Sequence, residues 1–134
     1  MAWKLTTIFR GGSRMNGECD KIISELTKFR DERDWEQFHN PKDLAVALSV
    51  EASELLELFL WKSHEEVDVA RLKEELADVF AFAFLLAGKM HFDVHQIVLD
   101  KVEANRRKYP VSLAKGNAKK YTDLNNGYLP QDGR

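Results

Sequence analysis

The chain is poor in the residues that would place it in several large classes of protein. Its 134 residues include one cysteine and three prolines. The single Cys19 excludes an intramolecular disulfide framework and any zinc site built from several cysteines. Lys and Arg together number 20 and Asp and Glu number 22, so the formal net charge is −2. This balance gives no electrostatic basis for general nucleic-acid binding.

Long hydrophobic runs are also missing. The longest, Val79–Ala87, falls well short of the roughly 20 residues that a membrane-spanning helix needs. The amino terminus has no apolar stretch of the kind found in signal peptides. We therefore expect a cytoplasmic protein that does not associate with membranes. Residues 1–15, in which Gly-Gly-Ser-Arg precedes Met15, are interpreted as a leader segment outside the fold.

Hydrophobic periodicity predicts helices and no strands. Pro110 is expected to stop the last long helix, and residues 111–134, rich in Gly, Lys and Asn, are expected to form an irregular tail. Residues 16–110 would then form the functional domain. Short connections between helices favour an all-α fold, an antiparallel four-helix bundle. The four predicted helices are Gly17–Arg33, Pro41–Trp61, Glu66–Met90 and Val94–Lys108. Asn40 is the predicted N-cap of the second helix and Asp93 that of the fourth.

Two pairs of acidic residues stand out within the second and third of these helices. Glu51 and Glu54 are three residues apart, as are Glu75 and Asp78. Residues at this spacing share one face of a helix. At about 100° per residue, each pair falls on the same face as the apolar side chains, which we predict to be the core face. The apolar side chains on these faces are Leu44, Leu48, Leu55, Leu58, Val79, Phe82 and Leu86.

Four carboxylates on facing helices require compensation of their charge. A network of buried ion pairs is one solution, but Arg71 is the only basic residue on that face of the third helix. A bound cation is the other solution, and carboxylates without cysteine favour Mg²⁺, with Mn²⁺ as a substitute. Di-iron bundles use Glu-x-x-His pairs, and neither pair here has a histidine at that position. The sequence therefore predicts a magnesium site at Glu51, Glu54, Glu75 and Asp78.

These motifs resemble the MazG-like, all-α nucleoside triphosphate pyrophosphohydrolases. The order Glu-x-x-Glu, spacer, Glu-x-x-Asp is similar to the signature of that family. The segments FRDERDWEQFH at residues 29–39 and ELLELFLWK at residues 54–62 resemble the dCTP pyrophosphatase branch. A third match, Lys-x-x-x-Asn-Arg-x-x-Tyr-Pro, covers residues 101–110. Altogether the resemblance extends from about Glu25 to Pro110.

The resemblance implies a Mg²⁺-dependent enzyme that converts a deoxynucleoside triphosphate and water to the monophosphate and diphosphate. It implies the four acids as metal ligands, and we take Glu54 as the general base. It also implies a homodimer or a tetramer made of two dimers. The residues that it implies for substrate binding are Trp35, His39, Trp61, Lys101, Asn105 and Tyr109.

One position departs from the dCTP branch, in which a histidine of the first helix lies near the base. The corresponding residue here is Leu26. A dUTPase-like enzyme or a broad nucleoside triphosphate pyrophosphatase is therefore an alternative. An alternative of another class is a helical oligomerisation or metal-binding module without catalytic activity. A panel of nucleotides, tested with and without Mg²⁺, distinguishes these hypotheses.

Overall fold

The computed structural model describes residues 17–125, and within that range every regular element is a helix. The all-α prediction is therefore confirmed for this part of the chain. Two short 3-10 turns flank the second helix, at Glu36–Phe38 and His64–Glu66. The α-helices are α1 (Glu18–Asp31), α2 (Pro41–Glu57), α3 (Val69–Lys89), α4 (Val94–Lys108), α5 (Val111–Ala114) and α6 (Tyr121–Asn125).

The long helices begin where capping side chains satisfy their free N–H groups. Asn40 accepts a hydrogen bond from the Asp43 N–H at 2.9 Å, with Pro41 as the first residue of α2. Asp93 accepts one from the Gln96 N–H at 2.9 Å and begins α4. Both caps were predicted from the sequence, since Asn, Asp and a first-turn proline are typical of helix starts.

Two predicted boundaries of the acidic helices were wrong. Helix α2 ends at Glu57 rather than Trp61, because turns follow and Trp61 adopts a positive φ of 60°. Helix α3 begins at Val69 rather than Glu66. Asp68 caps it, while Ser63 and Glu66 form a capping box that closes a separate turn. Both helices remain long enough to contain their acidic pairs.

The predicted tail is not wholly irregular. Pro110 ends α4 as expected, but α5 and α6 follow it as short helices. The ring of Tyr121, in α6, packs edge-on against Tyr109 with the centroids 6.2 Å apart. The predicted leader, residues 1–15, and the end of the tail, residues 126–134, lie outside the described residues.

The chain divides into two compact units, with the boundary between His91 and Phe92. In the first unit, α3 packs against both α2 and α1. Its most buried side chains come from α2, α3 and the turn between them. The second unit contains α4, α5 and α6. The four-helix bundle itself stays a prediction. The buried side chains of the first unit are Leu44, Leu58, Leu85 and Ala87.

Large apolar side chains remain exposed on the first unit. Trp61 is 95% exposed, and Leu56 and Val69 are 70% and 72% exposed. Large apolar side chains exposed in this number are typical of surfaces that meet another molecule. None of the helices in the described range combines the length and apolar character of a bilayer span.

Helices α1 and α3 approach closely at Gly88. A Cβ atom placed on Gly88 would lie 2.8 Å from Cγ2 of Ile23. This distance is below van der Waals contact, so the absence of a side chain at Gly88 permits the approach of the two helices. Gly88 lies near the end of α3, one residue before Lys89.

We predict that Gly88→Ala lowers the free energy of unfolding by about 1–2 kcal/mol, because overpacking outweighs the gain in helix propensity. In an Ile23→Ala background the same substitution should be neutral or stabilising, because the colliding methyl group is gone. Thermal and urea unfolding of the four proteins of this double-mutant cycle measure the coupling. Equal effects of Gly88→Ala in both backgrounds would contradict the close approach.

Candidate active site

Three carboxylates from α2 and α3 form an acidic cluster. Glu51, Glu54 and Glu75 each offer an oxygen atom, and these atoms lie within 4.8 Å of one another. The arrangement follows from the i, i+3 spacing on α2 and from the packing of α3 along it. Asp78 lies one turn beyond Glu75 on α3 and falls outside the group that satisfies this distance.

The acids are less buried than predicted. Glu51 and Glu75 are half-buried, whereas Glu54 and Asp78 are exposed. Leu44 and Leu58 on the same face are buried, so the core face was placed correctly on α2. The prediction of a low-dielectric interior for the acids was wrong in this single chain. They lie beside the apolar seam between α2 and α3, where their charges remain accessible to water.

Like charge raises the energy of the cluster. Burial raises the pKa of the Glu51 carboxyl above its usual value, and the charges of Glu54, Asp78 and Glu75 raise it further. Within residues 17–125, one ion pair reaches these acids, from Arg71 Nη2 to Glu75 Oε1 at 3.7 Å. Since that arginine is itself exposed, it offsets little of the negative charge.

The donor set suits a hard divalent cation. The cluster offers carboxylate oxygen atoms alone, which Mg²⁺ and Mn²⁺ prefer, and its charge is scarcely offset by basic side chains. A network of ion pairs would need more cations than Arg71 supplies. The geometry therefore fits a metal centre better than it fits a structural salt-bridge network.

A cavity of about 290 Å³ adjoins this cluster within the first unit. Asp78 links the two features without belonging to the cluster, because it lines the cavity and its charge acts on Glu51. The volume lies near the lower end of the range of about 300–1,000 Å³ for ligand pockets, which suits one ring better than a whole nucleotide. The other lining residues are Leu26, Phe29, Arg30, Trp35, His39, Ala81, Phe82 and Leu85.

A larger groove of about 610 Å³ runs along the outside of α2. All of its lining residues fall between Lys42 and Glu57, so a single helix bounds it. Because such a groove cannot enclose a ligand within this chain, the better candidate for a binding cavity is the one lined by α1, α3 and the segment that contains Trp35 and His39.

That segment is fixed to α3 by a long-range ion pair. Lys89 Nζ donates a hydrogen bond to a Glu36 carboxylate oxygen across 53 residues of sequence. The hydrogen bond and charge of Lys89 hold the pKa of Glu36 below its usual value. The neighbouring Trp35 ring meets Phe29 edge-on, with the centroids 5.9 Å apart. These contacts fix the walls of the cavity.

His39 lines the cavity and has one polar atom that no described residue satisfies. Its Nδ1 is buried and has no hydrogen-bond partner within the described part of the chain. Burial lowers the pKa of His39, and the nearby charge of Arg30 lowers it further. The ring lies 6.5 Å from that of Phe82, centroid to centroid. A neutral imidazole has one nitrogen that accepts and one that donates a hydrogen bond, so the unpartnered Nδ1 marks His39 as a polar group beside the cavity.

The structure does not bring Trp61 to this cavity. Its side chain is almost fully exposed beyond the end of α2, and its φ of 60° is rare for a bulky residue. The predicted residues Lys101, Asn105 and Tyr109 belong to the second unit. Lys101 and Asn105 are one turn apart on α4, so they share a face of that helix.

Sequence reasoning missed Arg30 as a site residue. It lies four residues after Leu26 on α1, and both side chains line the cavity. The i, i+4 spacing could have identified it once Leu26 was assigned to the base pocket.

We predict that Glu51→Gln raises the melting temperature of the metal-free protein at pH 7 by about 1–3 °C, because it removes a repelled charge from a water-accessible cluster. The folded-state pKa of Glu51 lies above its usual value, so the folded protein holds this proton more tightly than the unfolded chain. The wild type should therefore lose stability relative to Glu51→Gln as pH rises through that pKa.

Calorimetry in EDTA and in excess Mg²⁺, from pH 4 to 8, measures both effects. The Mg²⁺-induced rise in melting temperature should shrink in Glu51→Gln and persist in Glu57→Gln, a matched change on α2 outside the cluster. A lower metal-free melting temperature for Glu51→Gln at pH 7 would contradict the repulsion.

Comparison with known proteins agrees with this site. The MazG-like family model matches residues 46–124, a range that contains all four acids. The chain is 45% identical to mouse dCTP pyrophosphatase 1 over 113 residues, which are 78% of this chain and 66% of the relative. It is 42% identical to the human protein of the same name over 113 residues, with the same two coverages. The chain thus spans slightly less than two thirds of these relatives.

A solved structure has the same fold. The crystal structure of a pyrophosphatase from Archaeoglobus fulgidus superposes with a TM-score of 0.64 and 34% sequence identity. The match covers 78% of this chain and 99% of that protein. Together with the family match across residues 46–124, this similarity leads to one conclusion: the chain belongs to the MazG-like family.

Proposed function

We propose that the protein is a Mg²⁺-dependent nucleoside triphosphate pyrophosphohydrolase that favours dCTP or a related deoxynucleotide. One observation carries the proposal. A carboxylate cluster able to bind a divalent cation adjoins a cavity of the size of a single ring, and Asp78 borders both. The names of the mammalian relatives, dCTP pyrophosphatase 1, support the same substrate class.

Four acids are proposed as the metal ligands: Glu51, Glu54, Glu75 and Asp78. Bound Mg²⁺ neutralises phosphate charge and lowers the pKa of coordinated water. In the proposed site, Asp78 lies between the ion and the base cavity, so it limits how far the triphosphate extends from the base.

Glu54 is proposed as the general base. It is the exposed member of the α2 pair, so water reaches its carboxylate. Glu54 accepts a proton as the water oxygen bonds to the α-phosphorus. The bond from that phosphorus to the oxygen bridging the α- and β-phosphates breaks, and diphosphate leaves. The products are the nucleoside monophosphate and diphosphate, so one water molecule is consumed in each turnover.

The remaining substrate contacts are proposed from the family resemblance. Trp35 and His39 line the cavity and would hold the base by stacking and hydrogen bonding. Lys101 and Asn105 would bind phosphate or sugar oxygen atoms, because the lysine supplies charge and the amide supplies donors. Tyr109, at the end of α4, is proposed to support these two residues.

A homodimer or a tetramer of two dimers is part of the proposal. Exposed apolar side chains on α2 and the turn after it, among them Leu56, Leu60 and Trp61, support association. Trp61 would then reach a nucleotide at the active site of a neighbouring subunit. This assignment accounts for its exposure and positive φ in a single chain.

We predict that Glu54→Gln and Asp78→Asn each reduce diphosphate release from dCTP by about 10²–10⁴-fold, the first because it removes the proposed general base and the second because it removes a proposed metal ligand. Circular dichroism and the melting temperature should stay close to those of the wild type, because both side chains are exposed. Glu57→Gln, on the same helix and outside the cluster, should retain activity.

Product analysis over a panel of dNTPs, with and without Mg²⁺, tests the reaction itself. Monophosphate with diphosphate is the expected pair. Nucleoside diphosphate with inorganic phosphate would contradict the proposed bond cleavage. Melting shifts with Mg²⁺ but no turnover of any nucleotide would support the metal-binding module instead.

A further inference from the structure

We infer that Arg30 reads the base, donating two parallel hydrogen bonds to adjacent acceptor atoms, and that it thereby selects cytosine among the pyrimidines. The inference rests on the proposed function, because it assigns a specificity-determining residue to that reaction. Cytosine presents N3 and O2 as neighbouring acceptors. Uracil and thymine present an N3–H donor beside O2. This donor would face one of the two arginine donors, so the second hydrogen bond cannot form.

Arg30 lies on the wall of the cavity that α1 forms, and it provides the hydrogen-bond donors there. Leu26 and Arg30 lie one turn apart on the inner face of α1, and both line the cavity. Leu26 has no hydrogen-bonding group. Arg30 therefore supplies the donors on this wall, and its side chain is only 14% exposed.

The guanidinium of Arg30 has one edge engaged and one edge free. Its Nε and Nη2 contact Oδ1 of Asp31 at 2.7 and 2.6 Å. Nη1 has no partner within residues 17–125. The end edge, formed by Nη1 and the second hydrogen of Nη2, thus has two parallel donors. Arginine remains charged and has no acceptor, so this edge can only donate.

Asp31 also prepares the arginine for this role. The carboxylate is half-exposed and holds the guanidinium from the side of Nε. This pairing fixes the plane of the donors and offsets part of the cost of burying their charge. Nη1 is not among the buried atoms of the described residues that lack a partner, so the free edge stays accessible to a ligand with two matching acceptors.

His39 lines the same cavity, close enough to Arg30 for the arginine charge to lower the histidine pKa. A neutral imidazole accepts a hydrogen bond at one ring nitrogen, which suits the exocyclic amine of cytosine. Uracil and thymine present a carbonyl oxygen there, so they mismatch both His39 and Arg30.

The test compares Arg30→Met and Arg30→Lys with the matched control Arg33→Lys. Arg33 lies beyond the end of α1, stacks on the Phe29 ring at 3.6 Å and does not line the cavity. The measured quantity is the ratio of kcat/KM for dCTP to kcat/KM for dUTP and dTTP. We expect this ratio to fall by about 10–100-fold in both Arg30 variants, since a bidentate arginine contact discriminates bases to that extent.

Arg30→Lys keeps the charge but loses the two-donor edge, so it separates hydrogen-bond geometry from electrostatic attraction. Arg33→Lys should leave the ratio unchanged. An unchanged ratio in both folded Arg30 variants would overturn the inference about Arg30. The proposed function would still stand in that case, provided that the wild type hydrolyses dCTP. An equal fall in Arg33→Lys would also overturn it.

Binding of dCMP and dUMP, measured calorimetrically without metal, tests base reading separately from catalysis. The wild type should bind dCMP more tightly by about tenfold or more, and Arg30→Met should bind the two equally. If the wild type hydrolyses no nucleotide, the proposed function fails while this measurement still decides the role of Arg30. Equal binding of dCMP and dUMP by the wild type would overturn the inference.

Discussion

Repulsion among carboxylates on α2 and α3 is the constraint on which the site depends. Glu51, Glu54 and Glu75 have oxygen atoms within 4.8 Å of one another, and the pKa of Glu51 is raised as a result of burial and their charges. A stable fold that only needed to join two helices would place apolar side chains there. This arrangement destabilises the metal-free state, and a bound divalent cation, as proposed, would stabilise it.

The rest of the first unit builds a cavity next to this charge. The close approach of α1 to α3 at Gly88 sets one wall, and the Lys89–Glu36 pair holds the segment with Trp35 and His39 as another. The lining residues differ in character: Leu26 offers apolar contact, Trp35 an aromatic ring and His39 a polar side chain. The proposed cation site and the ring-sized cavity meet at Asp78, which in the proposed function relates the position of a base to that of its phosphates.

The sequence predicted the parts of the site that depend on helix periodicity. The i, i+3 acids, the start of α2 at Asn40 and Pro41, and the bounds of α4 all follow from local patterns. Local patterns could not predict the degree of burial of the acids, because that depends on what covers the helices. Glu54 and Asp78 are exposed, although the helical pattern places them on the same faces as the core residues. The Lys89–Glu36 pair joins residues 53 positions apart, and no local rule identifies such partners.

The central claim is that the carboxylates of α2 and α3 bind a divalent cation. The position of a bound ion tests this claim most directly. Crystals of the protein grown with Mn²⁺ would show the ion as an anomalous difference peak. The account predicts a peak in bonding contact with carboxylate oxygen atoms of Glu51, Glu54 and Glu75. Full occupancy by Mn²⁺ at other residues, with these three carboxylates unbound, would contradict it.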